Sequence, residues 1–229
     1  NKQVSGEVER VDVEGEEVKR AYERFAYQTH GALIRDDLAW NEYWLWDSDD
    51  LMAAIYYNDK NEPDGYVLYW IKEEVFHIKD MIFINEEART GLWNFISAHF
   101  SMINKVVGDT YTDEPLAFLF EDADIKESIS PYFMARIVDL EDFIEQYPFK
   151  PDNVVREWTF KMDDPILTWN QGYFKLTIDK DGKGKISRTS EKTEDRIDIQ
   201  TMTTMLLGYK RPDYLYKIGR ISCSNDTVD

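Results

Sequence analysis

The stretch DMIFINEEARTGLW (80–93) carries the reading of this chain. Residues 80–84 are an apolar, β-prone run, and residues 85–91 follow as a polar turn. From Leu92 a helical stripe begins, with Leu92, Ile96, His99/Phe100, Ile103 and Val107 on one face and Gly108 placed to end it. A strand, a turn and a helix N-terminus in that order make an anion cradle, because the turn N–H groups and the helix dipole point at the same spot. Such a cradle needs a basic residue, and closely spaced glycines so that the backbone can approach the anion. Here Gly91 is the single glycine, bulky Leu92 and Trp93 stand behind it, and Glu86 and Glu87 stand in front. The layout is present and its grip on an anion is erased.

Upstream lie LMAAIYY (51–57), GYVLYWI (65–71) and VFHIKDMIFI (75–84), joined by NDKNEPD and by Lys72-Glu73-Glu74. That turn chemistry predicts a three-strand antiparallel meander. Residues 1–13 are polar and acidic and read as a linker; the chain opens without Met, as an internal segment does. Val18, Tyr22, Phe25 and Thr29 recur at helical spacing from Glu16 onward, with Gly31 able to end the helix. An aromatic knot follows, Trp40, Tyr43, Trp44 and Trp46, closed by acidic residues 47–50. LAFLFED (116–122) reads as a further strand. Helix, three strands, helix, strand is an α+β layer.

Beyond Ser130-Pro131 the character changes. MARIVD (134–139) reads as a short strand, and Asp139 with Asp142 opens the helix LEDFIEQY. VVREWTFKM (154–162) alternates, with Val154, Trp158, Phe160 and Met162 on one face. YFKLTI (173–178) and KISR (185–188) flank the hairpin turn DKDGKG. Ile197 and Ile199 mark another short strand. TMTTMLLGY is a helix stopped at Gly208, and Pro212 opens a last one stopped at Gly219. This block reads as a small antiparallel sheet with helices on one side.

The 229 residues suit one large domain or two ordinary ones, and 43% hydrophobic with 14% aromatic residues is enough for packed cores. Asp and Glu number 45 against 27 Lys and Arg, a net charge of −18. That field repels phosphate backbones and anionic bilayers, so nucleic acid and acidic membranes are disfavoured as partners, while cationic small molecules or basic peptides are attracted; solubility alone accounts for such a charge equally well. A lone cysteine, Cys223, rules out an intrachain disulfide and makes a reducing cytoplasmic compartment the default. No run approaches the roughly 20 apolar residues of a membrane span. Three scattered histidines give no metal-ligand spacing, and His99 on the apolar stripe reads as a core histidine. Asp179-Lys-Asp181-Gly182 mimics part of a calcium loop, but Arg188 stands where the bidentate Glu belongs, so it reads as a turn. Neither GxGxxG nor GxxxxGK[ST] occurs. Four aromatics within 40–46 either bury as a core plug, the commoner fate, or line a pocket for an apolar or cationic group.

FINEEARTGLWNFISAHF (83–100), PYFMARIVDLEDFIEQYPF (131–149) and TMLLGYKRPDYLYKIGRI (204–221) together resemble the enhanced-intracellular-survival (Eis-like) N-acetyltransferases of the GNAT superfamily. The resemblance implies three parts in the parent protein: a first GNAT domain that binds acetyl-CoA, a second degenerate GNAT-like domain, and a sterol-carrier-protein-like domain. On that comparison 14–132 is the degenerate GNAT-like domain, a mixed sheet with helices. Residues 133–229 are then the sterol-carrier-like domain, an antiparallel sheet with helices on one side. The missing first domain is an implied partner, the acceptor is a cationic amine of aminoglycoside or lysine type, and the assembly is a homo-oligomer, a hexamer in the family. In the parent, a neutral amine attacks the acetyl-CoA thioester while a base takes the ammonium proton and an acid protonates the departing thiolate. This chain lacks the Gln/Arg-x-x-Gly-x-Gly/Ala signature and stops at Ser224-Asn-Asp-Thr-Val-Asp229 without the family's aromatic tail. It is therefore expected to hold no catalytic residue, no cofactor site and no metal, and to look truncated at both ends. Trp40, Trp44, Tyr132, Phe133 and Met134 are the candidates for a wall of the substrate cleft. Two other expectations remain open: a lipid-binding module using Trp158, Phe160, Phe174 and Leu206, and a purely structural role in assembly.

Overall fold

The computed structural model describes residues 3–29, 31–44, 50–110, 116–120, 125–130 and 134–223. The chain divides into two units, Asn1–Glu127 and Ser128–Asp229. Among the described residues no helix is long and apolar enough to cross a membrane.

The first unit is built on a five-stranded sheet ordered β1-β2-β3-β4-β5. Strands β1 (Glu7–Val11), β2 (Met52–Tyr57), β3 (Pro63–Lys72) and β4 (Val75–Phe83) pair antiparallel, and β5 (Lys105–Gly108) joins β4 in parallel. The α+β class and the meander are borne out. Helices α1 (Glu16–Gln28) and α2 (Asp37–Trp44) supply Val18, Ala21, Tyr22, Ala26 and Trp40 to a core with Ala53, Ile55, Tyr66, Leu68 and Ile82. Helix α3 (Glu86–Ser97) crosses between β4 and β5 and packs Ala88, Leu92 and Ile96 on Ala54, Tyr56, Val67, Tyr69, Phe76 and Ile78. Alternate residues of β2 and β3 thus feed two cores, one on each face. Burying Tyr56, Tyr66, Tyr69 and Phe76 completely contributes roughly 1.5–3 kcal/mol each.

Three sequence expectations need correction in this unit. Residues 1–13 are more than a linker, because Glu7–Val11 pairs with β2 as an edge strand, its backbone bonded and its Glu7 and Glu9 in water. The helical stripe through Ile103 and Val107 breaks: α3 stops at Ser97, and Val107 lies in β5 opposite His77. Gly108 ends that strand, where a side chain would strike Ile78. LAFLFED begins with a short helix, α4 (Leu116–Leu119), in place of a strand.

In the second unit the sheet order is β10-β9-β6-β7-β8. Strands β6 (Arg156–Asp163), β7 (Gly172–Ile178) and β8 (Gly184–Arg188) form an antiparallel set, β9 (Arg196–Asp198) lies parallel to β6, and β10 (Ile221–Ser222) pairs antiparallel with β9. Helices α5 (Leu140–Gln146), α6 (Ile199–Leu206) and α7 (Pro212–Lys217) share one core with the sheet, built on Phe160, Met162, Phe174, Ile144 and Leu206. The local signals are honoured: Asp139 caps α5 by accepting from Asp142 N at 3.1 Å, and Gly208 and Gly219 take φ of 75° and 74° just past α6 and α7.

Residues 134–139 form no strand and bend at Val138, a fourth correction. Their backbone groups go to side chains: Ile137 N donates to Thr203 Oγ1, and Val138 O accepts from Trp169 Nε1 and Asn170 Nδ2. Asp164, wholly buried, fixes this segment. It accepts from Ile166 N and Leu167 N at 3.0 Å, from Asn170 Nδ2 at 2.9 Å and from Arg136 Nη2 at 2.6 Å. Burial alone would raise its carboxyl, but the donors from Leu167, Asn170, Arg136 and Ile166 outweigh that and hold it well below the usual range.

A group lowered in this way stabilises the fold fully above the unfolded value of about 3.9, and that contribution drains as pH falls below it. Asp164→Asn is expected to cost about 3 kcal/mol by urea unfolding at pH 7, by stripping charge from a fully bonded site. The gap between variant and wild type should shrink when the same titration is run near pH 3.

Candidate functional site

The first turn of α3 is where the strand–turn–helix pattern would seat an anion, and its Ala88 amide and its cation already have partners in the chain. Asn85 adopts extended backbone and caps the helix, its Oδ1 accepting from Ala88 N at 2.8 Å while its Nδ2 donates to Asp64 at 2.8 Å. Arg89, the one basic residue of 85–93, is 6% exposed and forks onto Glu86 through Nε at 2.7 Å and Nη2 at 2.5 Å. Glu87 accepts from both the backbone N and the Oγ of Ser5 at 2.6 Å, and those two donors hold its carboxyl below the usual range. Gly91 does not line a loop. It faces the fully buried Tyr56, and a methyl there would overlap Cδ2 and Cε2 of the ring. Tyr56 in turn accepts on its hydroxyl from Gly6 N at 2.9 Å. With its cation paired and three carboxylates around the turn, this site does not fit a pyrophosphate.

A second constellation sits on the opposite face of the same sheet. In β4 the register slips between Leu68↔Asp80 and Tyr69↔Ile78, so Lys79 is an extra residue. Phe76 and Ile78 therefore face α3, while Asp80 and Ile82 face α1 and α2. Lys79 and Asp80, consecutive in sequence, both reach Tyr43. Lys79 Nζ lies 4.3 Å from the Tyr43 ring centroid and donates to its carbonyl at 3.2 Å. Asp80 accepts from Tyr43 Oη at 3.1 Å and from Tyr66 Oη at 2.7 Å. Burial first, and then the Asp80 carboxylate, push both phenols well up. Burial draws Lys79 down, against the pull of Asp80. Around them Trp40 stacks on Trp44 at 5.6 Å and meets Tyr22 and Tyr43 edge-on at 5.3 and 5.7 Å.

Residues 31–137 match the acetyltransferase (GNAT) domain family, and residues 140–229 match the sterol carrier protein domain family. The first match falls on the first unit and its sheet, the second on the second unit. Solved structures share the fold. A protein from Enterococcus faecalis V583, described as a "Probable N-Acyltransferase", aligns with a TM-score of 0.88 and 28% identity over 97% of this chain and 57% of its own. A GCN5-related N-acetyltransferase from Anabaena variabilis aligns with a TM-score of 0.80 and 23% identity over 99% of this chain and 59% of its own. Eis1 from Mycobacterium abscessus aligns with a TM-score of 0.74 and 18% identity over 100% of this chain and 59% of its own. The chain thus spans less than two thirds of the length of each of these proteins. No curated protein matches it in sequence.

Of the cleft residues expected from the sequence, the first unit brings Trp40 and Trp44 together; Trp40 is 5% exposed, and the half-buried Trp44 keeps its indole N–H enclosed without an acceptor among the described residues. Met134 is fully exposed in the second unit. Tyr132, Phe133 and Trp46 lie outside the described residues. His99 is the core histidine expected, with Nδ1 on Phe95 O at 2.9 Å and Nε2 on Arg10 at 3.3 Å. Asp179 closes its turn by accepting from Asp181 N and Lys183 N. Among the described residues no group of His, Cys, Asp and Glu is arranged to hold a metal ion. Sequence reading missed Tyr22, Arg35, Tyr66 and Asp80, which meet only because α1, α2 and the slipped half of β4 converge.

Gly91→Ala tests whether that glycine serves packing. An exposed helical glycine gains about 1 kcal/mol on becoming alanine. Here the crowded ring is expected to reverse the sign, with a loss of about 2 kcal/mol in urea unfolding.

Proposed function

We propose that this chain is the supporting, non-catalytic portion of an acetyl-CoA-dependent N-acetyltransferase that acts on amines. Aminoglycoside or lysine amines are the acceptor class that the resemblance suggests. In this reading the chain shapes one wall of the substrate cleft and takes part in a homo-oligomer, a hexamer by the same resemblance, in the cytoplasm. The observation that carries it is the first turn of α3: an acetyltransferase domain whose anion cradle is spent on Asn85, the Arg89–Glu86 fork and the Ser5–Glu87 contact. The likeness to longer N-acyltransferase structures supports it, since about two fifths of those chains lies outside the match and leaves room for a cofactor domain. Trp40, Trp44, Tyr132, Phe133 and Met134 remain the proposed wall.

The match of 140–229 to sterol carrier proteins favours a second reading, a lipid or acyl-chain binding module. Its candidate residues pack on one another: Trp158 lies 4.3 Å from Phe160, Phe160 lies 6.3 Å from Phe174, and Leu206 is buried in the same core. A ligand between sheet and helices would have to part these contacts.

Calorimetric titration of acetyl-CoA into the chain is expected to show no binding tighter than millimolar; a micromolar dissociation constant would refute the first reading. Native mass spectrometry is expected to give the mass of the polypeptide alone, and a co-purified lipid would favour the second.

A further inference from the structure

Arg35 stands in the connection between α1 and α2, one residue before Asp36, whose carboxylate caps α2 by accepting from Ala39 N at 2.8 Å. Its backbone is therefore pinned while its side chain reaches inward. The guanidinium carbon lies 3.8 Å from the centroid of Tyr22, 4.0 Å from that of Tyr43 and 4.7 Å from that of Trp40. Three rings from two helices enclose one cation, and Nη1 is buried there with no hydrogen-bond acceptor among the described residues. Ring faces thus do part of the work that a carboxylate does in an ordinary arginine site, an arrangement that selects positive charge and tolerates different shapes of cation.

Beside the cage opens a cavity of about 210 Å³, lined by Tyr22, Trp40 and Arg35, by Lys19 paired to Glu16 at 3.0 Å, and by the carboxylates of Glu23 and Asp37. An acidic rim leading to aromatic walls concentrates organic cations. An arginine with an unsatisfied, enclosed N–H gives up less on leaving than one held by a full set of acceptors.

We propose that the Tyr22–Trp40–Tyr43 cage is a recognition site for an organic cation, a guanidinium or alkylammonium group, and that Arg35 occupies it as a tethered stand-in. The incoming cation enters from the cavity, Arg35 swings out toward water, and the rim carboxylates hold the ligand's second charge. The inference rests on the geometry of the cage and stands or falls separately from the reading of α3.

The probe is agmatine, which carries a guanidinium at one end and an ammonium at the other. It is titrated by calorimetry into the wild-type chain and into Arg35→Ala. Because a tethered group competes at high effective concentration, removing it is expected to tighten agmatine binding by about tenfold or more, at one site per chain. Arg35→Met keeps the alkyl stem against the rings and is measured in parallel, so the comparison survives if Arg35→Ala does not fold. Affinity equal to wild type in the folded variant, or a stoichiometry well above one per chain, overturns the proposal.

Discussion

Strand β3 is buried on both faces, and that constraint governs the first unit. Tyr66 and Leu68 belong to the core under α1 and α2, while Val67 and Tyr69 belong to the core under α3. A slip of one residue would exchange the two sets, so register is fixed from both sides at once. Its neighbours must present matching side chains at each step, and the helices can settle only where those side chains allow.

What α3 became follows from this packing. A helix lying close over Tyr56 needs a residue without a side chain at the contact, and Gly91 meets that need. The turn before it is drawn into the same framework, since Asp64 accepts from Asn85, from Asn58 and from Arg24 of α1 at 2.8, 3.1 and 2.7 Å. A charge network thus ties the turn before α3 to α1 and to the loop between β2 and β3. Here the strand–turn–helix pattern works as architecture, through Gly91 on Tyr56 and Asn85 on Asp64.

Much of this was legible in the sequence where a local signal decides the outcome. Caps and stops such as Asp139, Gly208 and Gly219 act within a few residues, and the meander's turns are punctuated by Asn, Pro and Asp. Errors arose where short apolar runs suit both periods, as at Ile103–Val107 and LAFLFED, because two or three residues cannot tell a 3.6 repeat from a 2.0 repeat. Residues 134–139 misled for another reason: their backbone partners are side chains of Thr203 and Asn170, distant in sequence. The edge strand β1 was hidden by its own polarity, since an edge pairs through its backbone and can leave charged side chains in water. The glutamates before Gly91 were visible in the sequence, and the structure sets them against Arg89 and Ser5. Of the Arg35 cage the sequence showed two rings, Trp40 and Tyr43 in the aromatic knot; Tyr22 and the arginine join them only in three dimensions.

The extra residue in β4 has a consequence for comparing this chain with others. Because Lys79 resets the alternation, every side chain after it belongs to a different layer than an uninterrupted count would assign. A homologue shorter by that single position could keep each surrounding amino acid and still turn its Asp80 equivalent away from both tyrosines. Segment length at this point, more than residue identity, would separate relatives that possess the polar cluster from those that merely share its letters.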